Sequence, residues 1–231
     1  MKGLLTTIVL VAIVLVLADR AALLVAQNAV ATQLQSSGDL SVTPSVSIRG
    51  FPFLTQAVSG HYDSIRVNAA DLTAGGERLS KFTVSLDGVD IPLSDIRSGD
   101  VQKVPVDHLS ARVLLSYADL QARLRDRRLT LSPGPDGLLR VTGSVSVLGK
   151  TVSASALSSV RLSGTSVVVT AQRFEVGASP ADRVVTAALG HRLDFTARIG
   201  QLPYGLKLTG VRLTSEGVVA SATAKDTVLT R

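Results

Sequence analysis

The sequence has no cysteine and no tryptophan, one methionine, and only 3% aromatic residues. Without cysteine there can be no disulfide, thiolate metal site, cysteine nucleophile or acylated lipoprotein cysteine. Export is not excluded, because a 231-residue chain can live on its core alone. With so few aromatics, that core has to be built from Val, Leu, Ala and Ile. The same scarcity removes the stacking platforms that a nucleic-acid surface needs. A net charge of +6 with a pI near 10.1 still calls for acidic partners, which leaves an anionic membrane surface and no nucleic acid.

Catalytic signatures are also missing. The chain has no G-x-S-x-G elbow and no glycine-rich phosphate loop before a helix. His61, His108 and His191 are too scattered for metal-ligand spacing. Asp87, Asp90 and Asp95 are clustered, but Asp at turns and strand ends is the commoner arrangement. The expectation is a non-enzyme with no catalytic residues, no metal and no cofactor.

What the chain does have is a long apolar run. Residues 3–18, GLLTTIVLVAIVLVLA, follow the single charge of Lys2 and precede Asp19-Arg20. A short basic start and an apolar stretch make a secretory pattern. Apolar residues then recur at helical spacing through Ala22, Leu23, Val25, Ala26, Ala29, Val30 and Leu34, with Gln27, Asn28, Gln33 and Gln35 tending to the other side. Two outcomes remain open for residues 1–18, a cleaved signal peptide or a signal anchor running on as one helix. Either places residues 19–231 as a single exported domain, in a periplasm-like space or at the outer face of the plasma membrane.

After Ser36-Ser37-Gly38-Asp39 the pattern changes to alternation. Strands are expected at 65–69, 82–86, 89–93, 109–115, 141–147, from 152 to 162, and at 165–176, 193–199, 206–213 and 217–224. The apolar phase flips across Asp87-Gly88, which marks a bulge or tight turn. Gly149-Lys150 and Pro133-Gly134-Pro135-Asp136-Gly137 read as turns. Ser116 and Ser179 each open a short helix, with Asp119 and Asp182 favouring the positive helix start. The fold class is therefore α+β and β-rich, a curved antiparallel sheet with one apolar face covered by helices, after an N-terminal apolar leader helix.

Three stretches carry a family resemblance. They are Ile48-Arg49-Gly50-Phe51-Pro52-Phe53-Leu54-Thr55-Gln56 with Gly60-His61-Tyr62, then Val89-Asp90-Ile91-Pro92-Leu93 with Val104-Pro105-Val106, and Leu202-Pro203-Tyr204-Gly205-Leu206 with Gly210-Val211 and Glu216-Gly217. With the apolar leader and Asp19-Arg20-Ala21, the chain resembles the LmeA-type phospholipid-binding proteins of actinobacterial envelopes. The resemblance implies an exported or membrane-tethered protein that binds anionic phospholipid, phosphatidylinositol in particular, and supports maturation of mannosylated envelope lipids. It implies a fold similar to the tubular lipid-binding proteins, in which a sheet wraps a helix and leaves an apolar groove. It brings no catalytic residues with it.

Candidate lipid-contacting residues are Phe51, Phe53, Leu54, Phe82, Phe174 and Phe195, with Arg123 and Arg127 for the phosphate. Phe51 to Leu54 are either a hydrophobic tip meeting acyl chains or a plug at the end of the core. The plug is preferred, since clustered apolar residues are usually buried. For the Arg123, Arg125, Arg127 and Arg128 cluster, a solvated helix C-terminus is preferred over a phosphate site. The leading functional expectation is phospholipid binding or shuttling at a membrane surface. The alternative is a scaffold partner of an envelope glycosyltransferase that holds no lipid itself.

Overall fold

The computed structural model describes residues 2–37, 40–74, 77–98, 101–123, 129–147, 150–175, 195–198 and 201–230. Two antiparallel sheets dominate, with few helices and a long apolar helix at the N-terminus. Helix α1 runs unbroken over Lys2–Ser37, so the apolar leader and the amphipathic stretch after it form one element. Next come β1 (Ser45–Arg49), α2 (Phe53–Ser59), β2 (His61–Ala74), β3 (Glu77–Asp90), α3 (Leu93–Ser98), β4 (Lys103–Ser116) and α4 (Tyr117–Arg123). Strands β5 (Thr130–Pro133), β6 (Leu139–Val147), β7 (Lys150–Ser163), β8 (Ser166–Glu175), β9 (Phe195–Arg198), β10 (Lys207–Leu213) and β11 (Gly217–Thr230) complete the order, with short 3-10 turns at Pro135–Gly137 and Pro203–Gly205. One sheet has the order β1-β2-β3-β4-β11-β10, and the other β5-β6-β7-β8-β9.

The chain divides into two compact units. The first holds residues 1–77, 82–111 and 224–231, the second residues 78–81 and 112–223. In the first, β1 pairs antiparallel with β2, setting Val46 opposite Val67 and Ile48 opposite Ile65. Val46 and Ile48 are buried while Ser45 and Arg49 are exposed, the period of two that a half-buried strand requires. Helix α1 packs on β1 and α2. Its buried positions are Asp19, Leu23 and Ala31, with half-buried Gln27 between them. That stripe of every fourth residue differs from the expected face. Val25 and Val30 are exposed, whereas Gln27 turns inward and its amide reaches the Ile48 carbonyl at 3.5 Å.

In the second unit, Leu131, Leu139, Val141, Ala156 and Val169 form the core, with Tyr117, Leu120, Phe174 and Leu213 among the side chains packed on it. Strands β7 and β8 shift register at Leu157/Ser158, and Ala156, Leu157 and Ser158 are buried in succession. A bulge of this kind breaks the even-numbered apolar face expected there.

Several turn and cap signals hold. The Ser116 hydroxyl accepts the Asp119 N–H at 3.1 Å and donates to the Asp119 carboxylate at 2.6 Å, which caps α4. The second expected helix, opened at Ser179, lies outside the described residues. Gly88 takes φ 61 where the apolar phase was expected to flip. The strand expected to run on through Leu93 stops at Asp90, because Pro92 offers no N–H and its carbonyl instead accepts the Asp95 N–H at 3.0 Å to start α3. The odd-numbered face expected over 109–115 is also broken, with both Leu109 and Leu114 buried. Leu109 belongs to the first unit and Leu114 to the second, and the boundary between the units falls between them.

Candidate lipid-facing site

The site is built in the first unit, where α1 meets α2. Over residues 3–18 every side chain of α1 is exposed, Leu4 at 70% and Leu17 at 64% among them. The helix is long and apolar enough to cross a membrane, with a mean hydropathy of 2.7 in its most apolar window. Burial begins at Asp19, 3% exposed. The carboxylate has a structural task, because its Oδ1 accepts the Leu54 backbone N–H at 2.8 Å. Pro52 precedes α2 and makes no side-chain cap bond. Asp19 therefore supplies from α1 the acceptor that α2 lacks at its own start. Arg20 lies between Asp19 and Phe51, its Nε 3.8 Å from the other Asp19 oxygen, Oδ2, and its guanidinium 4.8 Å from the centre of the Phe51 ring.

The segment from Gly50 to Tyr62 explains its own residue choices. Gly50 has φ 103, and a Cβ there would collide with the Asp63 carboxylate and the Gln56 amide. Phe53 is 5% exposed and packs beside Tyr62, ring centres 6.4 Å apart. Gln56 is buried, and its Oε1 accepts the Asp63 N–H at 2.9 Å. Gly60 closes α2 in the left-handed conformation, φ 76, its N–H bonded to the Gln56 carbonyl at 2.8 Å. Its own carbonyl accepts the Ile91 N–H at 2.8 Å. The first two sequence blocks of the family resemblance thus meet in one corner, with His61 Nδ1 2.6 Å from Asp90 Oδ1. That hydrogen bond raises the His61 pKa against a smaller opposing effect of desolvation, and Asp107 and Asp63 add to the rise. Burial raises the Tyr62 pKa.

The candidates named from sequence separate by role. Phe53 is the plug, whereas Phe51, 60% exposed, and Leu54, 40% exposed, face outward. Phe82 is half-buried on β3, and Phe174 packs on the core of the second unit. Arg127 and the side chains of Phe195 and Arg123 lie outside the described residues. Sequence reasoning missed Val58, 76% exposed, Leu93, 38%, and Ile96, 43%. The signals were present: Val58 lies one helical turn after Leu54, and Ile96 three residues after Leu93. Leu24 and Val25 extend the exposed apolar surface of α1 past Asp19. Among the described residues, no three His, Asp or Glu side chains are grouped so as to hold a metal ion. The corner offers apolar contact, a cation and hydrogen-bonding groups.

No curated protein and no solved structure matches the chain. A family model for LmeA-like phospholipid-binding proteins matches residues 17–223. The match takes in Asp19, the Gly50–Tyr62 corner and the turn at Pro203–Gly205. The chain belongs to the LmeA-like phospholipid-binding family.

Proposed function

We propose that this protein is an exported envelope protein, anchored by α1 at the outer face of the plasma membrane, that binds an anionic phospholipid such as phosphatidylinositol. Its family membership over residues 17–223 carries the reading. Acyl chains enter an apolar groove, favoured by about 0.8 kcal/mol for each buried CH₂. The net charge of +6 favours an anionic head group and an anionic surface. The role is binding in support of envelope lipid or lipoglycan maturation, without catalysis.

Native mass spectrometry of the full chain released from mild detergent tests this. Phospholipid should remain bound, phosphatidylinositol should displace phosphatidylcholine, and the bound lipid should stay chemically unchanged. A lipid-free mass, with no uptake from phosphatidylinositol vesicles, would overturn the proposal and favour a scaffold for an envelope glycosyltransferase.

A further inference from the structure

The exposed apolar side chains of α2 and α3 lie in the same unit as the point where α1 leaves the fold, Val58 at 76% exposed and Leu54, Leu93 and Ile96 at 38–43%. Leu54 and Val58 share one face of α2, Leu93 and Ile96 share one face of α3, and Phe51 stands just before α2. Helix α2 contacts both α1 and α3. The Asp19–Leu54 hydrogen bond fixes α2 to α1 at the first buried residue of that helix. We infer that this corner is a membrane seat: Phe51 and the outer faces of α2 and α3 insert into the interface of the bilayer that α1 enters.

Helix length supplies the second reason. Residues 3–18 span roughly 24 Å at about 1.5 Å per residue. A typical hydrocarbon core is about 30 Å thick. To cover the difference, the helix has to draw Asp19 and Arg20 to the hydrocarbon boundary, a response expected of a short span. Asp19 tolerates that position because its Oδ1 accepts the Leu54 N–H and Arg20 Nε lies 3.8 Å from its Oδ2. Arg20 on the Phe51 ring is a pairing of cation and aromatic suited to a head-group layer. Drawing α1 down by this amount brings α2 and α3 to the same level. Their apolar faces then meet the upper acyl chains, with His61 and Asp90 exposed near the head groups.

The inference rests on α1 lying in a membrane, so the test separates the two. The chain contains no tryptophan, and each single substitution therefore reports from one place. Full-length V58W, I96W and L10W variants are reconstituted into vesicles of phosphatidylcholine and phosphatidylinositol, with the phosphatidylcholine brominated either near the head group or near the chain ends. All three positions are exposed in the fold, so tryptophan should be accommodated. V58W and I96W should show blue-shifted emission, quenched more by shallow than by deep bromine, while L10W is quenched more by deep bromine. Quenching of L10W alone would overturn the seat and leave the anchor standing. Absence of quenching in all three would overturn the anchor and the seat together.

Discussion

The Leu54 backbone N–H donates a 2.8 Å hydrogen bond to the Asp19 carboxylate, across 35 positions of sequence. A charge that interrupts an otherwise apolar stretch thereby becomes the cap of another helix. The bond also marks the boundary on α1 between side chains left outside the fold and side chains packed within it.

Replacing Asp19 tests that bond directly. Asp19→Ala removes the acceptor and leaves the Leu54 amide without its partner, at a cost of about 1–3 kcal/mol. Hydrogen exchange at Leu54 should accelerate by one to two orders of magnitude, on the order of that free energy. Asp19→Asn keeps a carbonyl acceptor, and its exchange rate should fall between the two.

Gly50 and Gly60 of the corner differ from Gly205. Gly50→Ala meets both a left-handed backbone and the Asp63 and Gln56 side chains, and Gly60→Ala meets the Ile91 carbonyl at 3.0 Å. Gly205, at φ 68, has open space around a Cβ. Gly205→Ala should therefore cost only about 1–2 kcal/mol of backbone strain. Gly50→Ala should cost more than that, as measured by chemical denaturation of the full chain.

Phe51 and Phe53 are two residues apart and should respond in opposite ways. Phe53→Ala empties a buried site beside Tyr62 and should destabilise the first unit by about 3–5 kcal/mol. Phe51→Ala removes an exposed ring, and its effect on stability should stay within about 0.5 kcal/mol. In the reconstituted full chain, Phe51→Ala should reduce the quenching of V58W by bromine near the head group.

His61 should titrate above its ordinary value of 6.5, because Asp90 accepts its hydrogen bond. A raised folded-state pKa means that the pair's contribution is complete below about pH 6.5. It is lost as pH rises through the folded-state pKa. Asp90→Asn should bring the imidazole back toward 6.5 and flatten that pH dependence, both visible in the His61 ring proton signals by NMR.

Much of the fold was legible in local pattern. Alternation at 141–147, the cap at Ser116 and the turn at Pro135–Gly137 are decided within a few residues by side-chain chemistry, and each formed as expected. The β-rich class followed from the same alternation, repeated along the chain. Expectations failed where a distant contact, a proline or a register shift overrode a local period. Gln27 turned inward toward Ile48, Leu93 opened a helix behind Pro92, and the β7 face broke at the Leu157/Ser158 shift.

Within the site, Phe51, Phe53 and Leu54 stood out together as a cluster, but composition gave no means of dividing plug from tip. Burial made that division, since Phe53 is buried beside Tyr62 and Phe51 is exposed beside Arg20. By itself the sequence determined the apolar length of α1, the absence of thiol chemistry, and the strand period, all properties of neighbouring residues. Tertiary structure alone decided that Asp19 would cap α2, that Gly60 would lie against Ile91, and that Val58, Leu93 and Ile96 would remain outside. Those outcomes depend on which backbone donors and which free volumes a folded chain brings within a few ångströms, and no local pattern encodes that.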